Sequence, residues 1–339
     1  MFEGIGIMKL DESIKNILSF LLRLGISAGI LFYLFHKMDI AAMAALLKEA
    51  DVHFIILAAI TLGITNLILF LRWLILMQGL DLKLPFIAVI NYYFIGMFFN
   101  YFLPTSTGGD IIKTFGICQL TNEKAKVVAS VVLDRLCGFM AIVIVAFFSF
   151  IFGYRILNDL SLLVAIFVLA FVSGSIMVIL FNEKIYSFGC KIFDRVPKIK
   201  SSLMNMHYDI VLLKGKPSTI IWAVGVSCLS QGVLSLSWLL FAKALHQNID
   251  LLYFLIFVPI ICVASSLPSI GGLGTREYAA KTFFPKVGVS SEVAVSMSLL
   301  VYAFSLALSL IGGVIYVTQL SPRRIQHPPS PSGIGPEQN

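Results

Sequence analysis

Pro104-Thr-Ser-Thr-Gly-Gly-Asp110 and Pro268-Ser-Ile-Gly-Gly-Leu-Gly-Thr-Arg276-Glu277 interrupt the apolar run of this chain in nearly the same way. The two prolines stand 164 residues apart, and each segment follows roughly 17 apolar residues. Each brings two adjacent glycines and then charge to a place where lipid excludes irregular backbone. Non-helical backbone survives at membrane depth only where protein covers it or it lines a wet cavity. Paired breaks at matching positions in two halves of a chain are a pointer to a transport site.

The surrounding composition fixes the class. Of 339 residues 58% are hydrophobic and only 13% charged, with a mean hydropathy of +0.94, whereas soluble domains carry about a quarter charged residues. The expected fold is all-α, a polytopic integral membrane protein. The longest polar segment, 182–217, falls short of the 50 or so residues that a soluble domain needs, so a soluble catalytic domain is not expected. The formal charge of +7 sits in loops that flank apolar stretches, which suits anionic lipid headgroups and not nucleic acid. The cysteines at 118, 137, 190, 228 and 262 and the histidines at 36, 53, 207, 246 and 327 are scattered. Neither a disulfide framework nor a metal or other cofactor is expected.

A bilayer core takes about 20 apolar residues in a helix. On that measure spans are expected at about 14–35, 53–78, 127–152, 160–181, 218–243 and 293–318. The first has the position of a signal peptide but ends in Leu34-Phe35-His36-Lys37 without a small-residue cleavage site, so a retained anchor is expected. Two shorter stretches, 86–103 and 251–267, end in the breaks. A single transmembrane domain over 1–320 and a disordered, Pro- and Gly-rich tail over 321–339 complete the organisation.

Loop charge discriminates between two topologies, because Lys and Arg accumulate on the cytoplasmic side. Eight simple crossings with the Lys-rich 182–217 loop inside would put both termini outside, with Lys9, Lys15, Arg323 and Arg324. If 86–120 and 251–285 instead dip in and return, six spans remain, and both termini, the Lys113/Lys124/Lys126 segment and the 182–217 loop all lie inside. The re-entrant arrangement fits with fewer exceptions. The unit span–break–span then occurs twice, at about 53–152 and 218–318, in inverted orientation. Ile185, Phe188, Ile192 and Phe193 in 184–200 share helical spacing between cations, the pattern of an interfacial amphipathic helix.

The breaks carry the candidate binding residues. In the first, Asn100 precedes Pro104, then Thr105, Ser106, Thr107, Gly108, Gly109, Asp110 and Lys113. Proline removes a donor and ends the incoming helix; the glycine amides and hydroxyls suit an anion, and a helix break without a ligand is the structural alternative. In the second, Gly271, Gly272, Gly274 and Thr275 precede Arg276, a fork-shaped donor for phosphate, and Glu277, which can pair with a cation. Arg72 lies about 9 Å from its helix end, within reach of snorkelling. Asp134 and Arg135 fall deeper, about 10 Å into a span, where charge is costly and seeks a partner or a wet cavity. Adjacent helical residues do not face each other, so Arg135 should seek a carboxylate elsewhere, Asp110 or Glu277.

On Asn100…Pro104…Gly108-Gly109-Asp110…Lys113, on Asp134-Arg135 and on Pro268…Gly271-Gly272-Leu-Gly274-Thr-Arg276-Glu277, the chain resembles the flippase-like membrane family that includes the transmembrane region of lysylphosphatidylglycerol synthases. The resemblance runs over about 15–318, and Asp134 departs mildly from the pattern, where the acidic residue before Arg is often Glu. It implies lipid handling: movement of an aminoacylated lipid between leaflets in the synthases, and polyprenyl-phosphate-linked sugars or other envelope lipids in stand-alone members. The soluble aminoacyl-transfer domain is missing from this sequence, so synthase activity is not carried over. The expectation is an inner-membrane flippase for a phosphate-bearing lipid working by alternating access, not an enzyme. A membrane-embedded transferase and a small-solute carrier are the alternatives. Partners are membrane lipids, anionic or polyprenyl-phosphate-linked; the oligomeric state is left open.

Overall fold

A computed structural model describes residues 45–103, 108–157, 216–266, 269 and 271–319, with isolated positions between 164 and 207. Thr105, Thr107, both break prolines, the 14–35 span, the 184–200 stretch apart from Tyr186, and the 321–339 tail lie outside the described residues. Those described are helical, without strands: α1 (Val52–Gly79), α2 (Phe86–Phe102), α3 (Gly108–Cys118), α4 (Lys124–Leu157), α5 (Pro217–Ala244), α6 (Leu251–Ser265), α7 (Thr275–Phe283) and α8 (Ser291–Gln319). Described positions within 160–181 are helical too. The chain is a polytopic all-α membrane protein. Four of these helices, α1, α4, α5 and α8, are long and apolar enough to cross a bilayer. At 28 residues each, α1 and α5 reach about 42 Å.

Local signals set the boundaries. Asp51 begins α1, its carboxylate accepting the His53 amide at 2.8 Å; Asp250 does the same for α6 through the Leu252 amide at 2.8 Å. Pro85 precedes α2, and Pro217 opens α5 at a position that needs no amide donor. In the second break Gly271, Gly272 and Gly274 all have positive φ (57°, 79° and 87°), a backbone that residues with a Cβ avoid.

The eight helices form two sets of four. Starts of α1 and α5, and of α2 and α6, differ by 165; those of α3 and α7, and of α4 and α8, by 167. The paired long helices α1 and α5 run antiparallel. The Asp51 amide donates to the Ala244 carbonyl at 2.9 Å, while at the other end Lys216 Nζ donates to Gly79 O at 3.0 Å and to Asp81 Oδ2 at 2.7 Å. That last contact holds the Asp81 carboxyl below the usual carboxylate range. Helices α1 and α4 are antiparallel as well: Trp73 near the end of α1 donates to Ser130 near the start of α4 at 3.2 Å. At the opposite end Ala58 and Leu62 share a core with Ala146 and Phe150. The last helix of each set packs on the hairpin of the other, α8 on α2 and α4 on α6.

Each break joins two antiparallel helices. In α2–α3 the backbones touch where glycine meets glycine: a Cβ on Gly109 would overlap the Gly96 carbonyl oxygen, and one on Gly116 would fall inside the Tyr92 ring. In α6–α7 the rings of Phe257 and Phe283 stack at 5.8 Å, with Phe284 against Phe254 at 5.3 Å. Gly109→Ala is expected to lose about 1–3 kcal/mol through overpacking, read as a lower melting temperature and a smaller monodisperse fraction in detergent. Gly63→Ala, whose Cβ would meet nothing within 4 Å, should leave both unchanged.

Candidate functional site: a charged cavity between the two breaks

The cavity is built on a buried ion pair. Arg72 of α1 and Asp134 of α4 are 7% and 8% exposed, and Arg72 Nε donates to Asp134 Oδ1 at 2.7 Å. Arg72 Nη1 donates to Ser227 Oγ of α5 at 3.3 Å. One guanidinium thus ties three of the long helices, and Arg72 is a partnered interior cation and not one that snorkels to the helix end.

Its helical neighbour Arg135 points elsewhere. Arg135 Nε donates to Asp110 Oδ2 at 2.6 Å, and its Nη2 reaches the same oxygen. Of the two carboxylates the sequence offers this arginine, Asp110 is the partner. Asp110 also receives Lys113 Nζ at 3.2 Å through its other oxygen. Lys113, 4% exposed, lies over the Trp73 ring at 4.3 Å and the Tyr93 ring at 5.9 Å. These faces are a favourable setting for a cation held away from water. The Gly109 amide at the start of α3 donates to Asn100 Oδ1 of α2 at 2.9 Å, so Asn100 fixes the hairpin that carries Asp110.

These groups border a cavity of about 290 Å³. Arg72, Lys113 and Arg135 face it with Asp110 and Asp134, three cations against two carboxylates, beside Asn66, Tyr93 and Asn100. Another wall is the end of α6, through Ser265 and Ser266, with Gly271 and Gly272 of the second break. The structure therefore brings eight of the candidate residues together, from both breaks and from two long helices. Gly108 and Gly109 are buried and do not border the cavity.

Gly274, Thr275, Arg276 and Glu277 also lie off its lining. Glu277 is fully buried and turns back to accept the Gly274 amide at 2.6 Å. That turn carries its other oxygen to Arg276, which donates from Nη2 at 2.9 Å. Arg276 Nε also donates to Ser298 Oγ at 3.0 Å, and its guanidinium lies 5.0 Å from the Tyr302 ring. Adjacent residues pair here because Glu277 caps its own helix start. Thr275 Oγ1 donates to Gly272 O at 3.1 Å, inside the same turn.

Sequence reasoning passed over Tyr93, Asn66 and Ser227. Tyr93 O–H donates to Asn66 O at 3.0 Å, joining α2 to α1. All three are uncharged, and no spacing marks them among apolar neighbours. Removing one partner of a buried ion pair strands the other, at about 3–5 kcal/mol. Asp134→Ala is expected to cost that much in detergent thermostability, and Arg72→Met with Asp134→Leu should recover most of it.

A family model described as the lysylphosphatidylglycerol synthase TM region matches residues 20–313. A protein described as a UPF0104 membrane protein, from Pyrococcus horikoshii, is 26% identical over 300 residues, covering 80% of this chain and 88% of that one. No solved structure matches at the same level of significance. With the match running through both breaks and all four long helices described, the chain belongs to the family of the lysylphosphatidylglycerol synthase TM region.

Proposed function

We propose that this protein moves a lipid with an anionic, phosphate-bearing headgroup between the leaflets of the cell membrane, by alternating access and without covalent chemistry. The observation that carries the reading is the excess of cation in a cavity walled by both breaks. Among the described residues three cations face two carboxylates there, a balance that the charge of a phosphodiester completes. Arg135 offers a planar fork that matches phosphate oxygens. Asp110 holds Arg135 and Lys113, and the headgroup competes with it for them. The substrate class spans anionic phospholipids and polyprenyl-phosphate-linked intermediates, since both present the same phosphate.

The helix directions support an inverted repeat with re-entrant hairpins. The antiparallel α1 and α4 favour placing the end of α1 and the start of α4 on one face, from which α2–α3 would enter and return. The antiparallel α1–α5 pairing supports units in opposite directions, with the α6–α7 hairpin entering from the other face. In such a build the hairpin tips meet near the midplane, where a substrate is reached from either side in turn. With the 182–217 loop inside, the N- and C-termini are cytoplasmic.

Two experiments test this. On a cysteine-free background, an impermeant maleimide should modify Asp81→Cys and Gln119→Cys from one side, and His246→Cys and Lys286→Cys from the other. Modification of Asp81→Cys and Gln119→Cys from opposite sides would replace the hairpin by a crossing. In phosphatidylcholine vesicles, the purified protein should accelerate flipping of a trace of fluorescent phosphatidylglycerol but not of fluorescent phosphatidylcholine. Lys113→Gln and Arg135→Gln should each slow it at least tenfold (about 1.4 kcal/mol), and Lys126→Gln should not. Equal acceleration of both lipids would end the anionic-headgroup reading.

A further inference from the structure

The polar cavity adjoins a second one of quite different character. Between α3 and α4 lies a cavity of about 590 Å³, within the roughly 300–1,000 Å³ of ligand sites, with almost wholly apolar walls. Helix α3 contributes Ile111 and Phe115, one turn apart and 66% and 68% exposed. Helix α4 contributes Val128, Val132 and Phe139 at helical spacing. The opposite face of α3, with Gly109 and Gly116, is closed against α2. Asp110 and Arg135 border both cavities, so this ion pair is the partition between an apolar groove and a cation-rich chamber.

We propose that the groove seats one hydrocarbon chain of the lipid whose phosphate enters the polar cavity, with the Asp110–Arg135 pair as the gate between them. The proposal rests on the transport reading and names where its substrate enters. An occupant that fits both cavities is apolar along its length and anionic at one end, the description of a phospholipid. The Arg135 side chain is 41% exposed while that of Asp110 is 13% exposed, so the cation is the partner within reach of an arriving headgroup. The exchange is local: a phosphate oxygen replaces Asp110 at Arg135, and Asp110 keeps Lys113, already 3.2 Å away on its other oxygen. Neither charge is stranded when the gate opens, and that removes the main cost of parting a buried pair. The chain stays in apolar surroundings throughout.

The test uses the full-length protein in phosphatidylcholine vesicles with phosphatidylglycerol that carries a diazirine on its acyl chain. Cross-links should form at Phe115, Val128 and Val132, saturate with dose, and fall at least fivefold when unlabelled phosphatidylglycerol is added. Cross-links at Ile60, Ile64 and Leu67, on the exposed side of α1, report bulk lipid and should not fall. Val132→Trp, which fills the groove, should abolish the competed labelling and slow phosphatidylglycerol flipping at least tenfold. Groove labelling that competes no better than that of α1, in protein that does flip phosphatidylglycerol, overturns the groove and leaves transport standing. Competed groove labelling without flipping supports the groove and overturns transport; loss of both overturns both.

Discussion

The ion pair between Arg72 and Asp134 is the interaction on which the site depends. Two charges in the interior of an apolar helical assembly are costly unless each satisfies the other. Here the pair, 2.7 Å apart, joins α1 to α4 and reaches Ser227 on α5. It fixes more than distance. Successive side chains on a helix point about 100° apart, so holding Asp134 against α1 turns Arg135 toward α3. The cavity's more accessible guanidinium is aimed by a neighbour that is itself held by Arg72.

The second constraint is steric. Helices α2 and α3 approach until the backbones of Gly96 and Gly109 touch, a separation that any side chain would enlarge. At that spacing Asn100 reaches the first turn of α3, and Asp110 and Lys113 emerge on the side that faces α1 and α4. Glycine in the break therefore serves close approach in the first hairpin and positive φ in the second. One residue type at matching places answers two different physical demands.

Much of the architecture was legible in the sequence because lipid leaves few solutions. Apolar length gave α1, α4, α5 and α8 to within a few residues, and paired Pro and Gly-Gly marked where α2 gives way to α3 and α6 to α7. The need of Arg135 for a carboxylate other than its neighbour was legible, but the sequence left Asp110 and Glu277 both open, and the structure selects Asp110. Arg72 was not, because its depth suits either snorkelling or pairing, and only the position of Asp134 on another helix decides between them. Tyr93 and Ser227 left no trace, since neutral polar residues fit an apolar helix without altering its pattern. Arg276 and Glu277 show the opposite limit: their pairing depends on a cap that bends Glu277 back, a conformational detail with no signature in spacing.

The two units are alike in backbone and unlike in charge. The offset of 167 that relates α4 to α8 places Tyr302 where the first unit has Arg135, and the same offset from α3 to α7 places Glu277 where it has Asp110. In the first unit the arginine comes from the long helix and meets its carboxylate across a gap that borders open space. In the second, Arg276 comes from the hairpin itself, beside its carboxylate, and Tyr302 covers its face at 5.0 Å. The second pair is tied to the long helix through a neutral group instead, since Ser298 of α8 accepts from Arg276 Nε at 3.0 Å and donates to Glu277 Oε1 at 2.9 Å. Of these two pairs only the first has its charges on different elements. The asymmetry thus leaves the first unit's ion pair on the border of the cavity and the second unit's pair off its lining, with Gly271 and Gly272 as the second break's share of the wall.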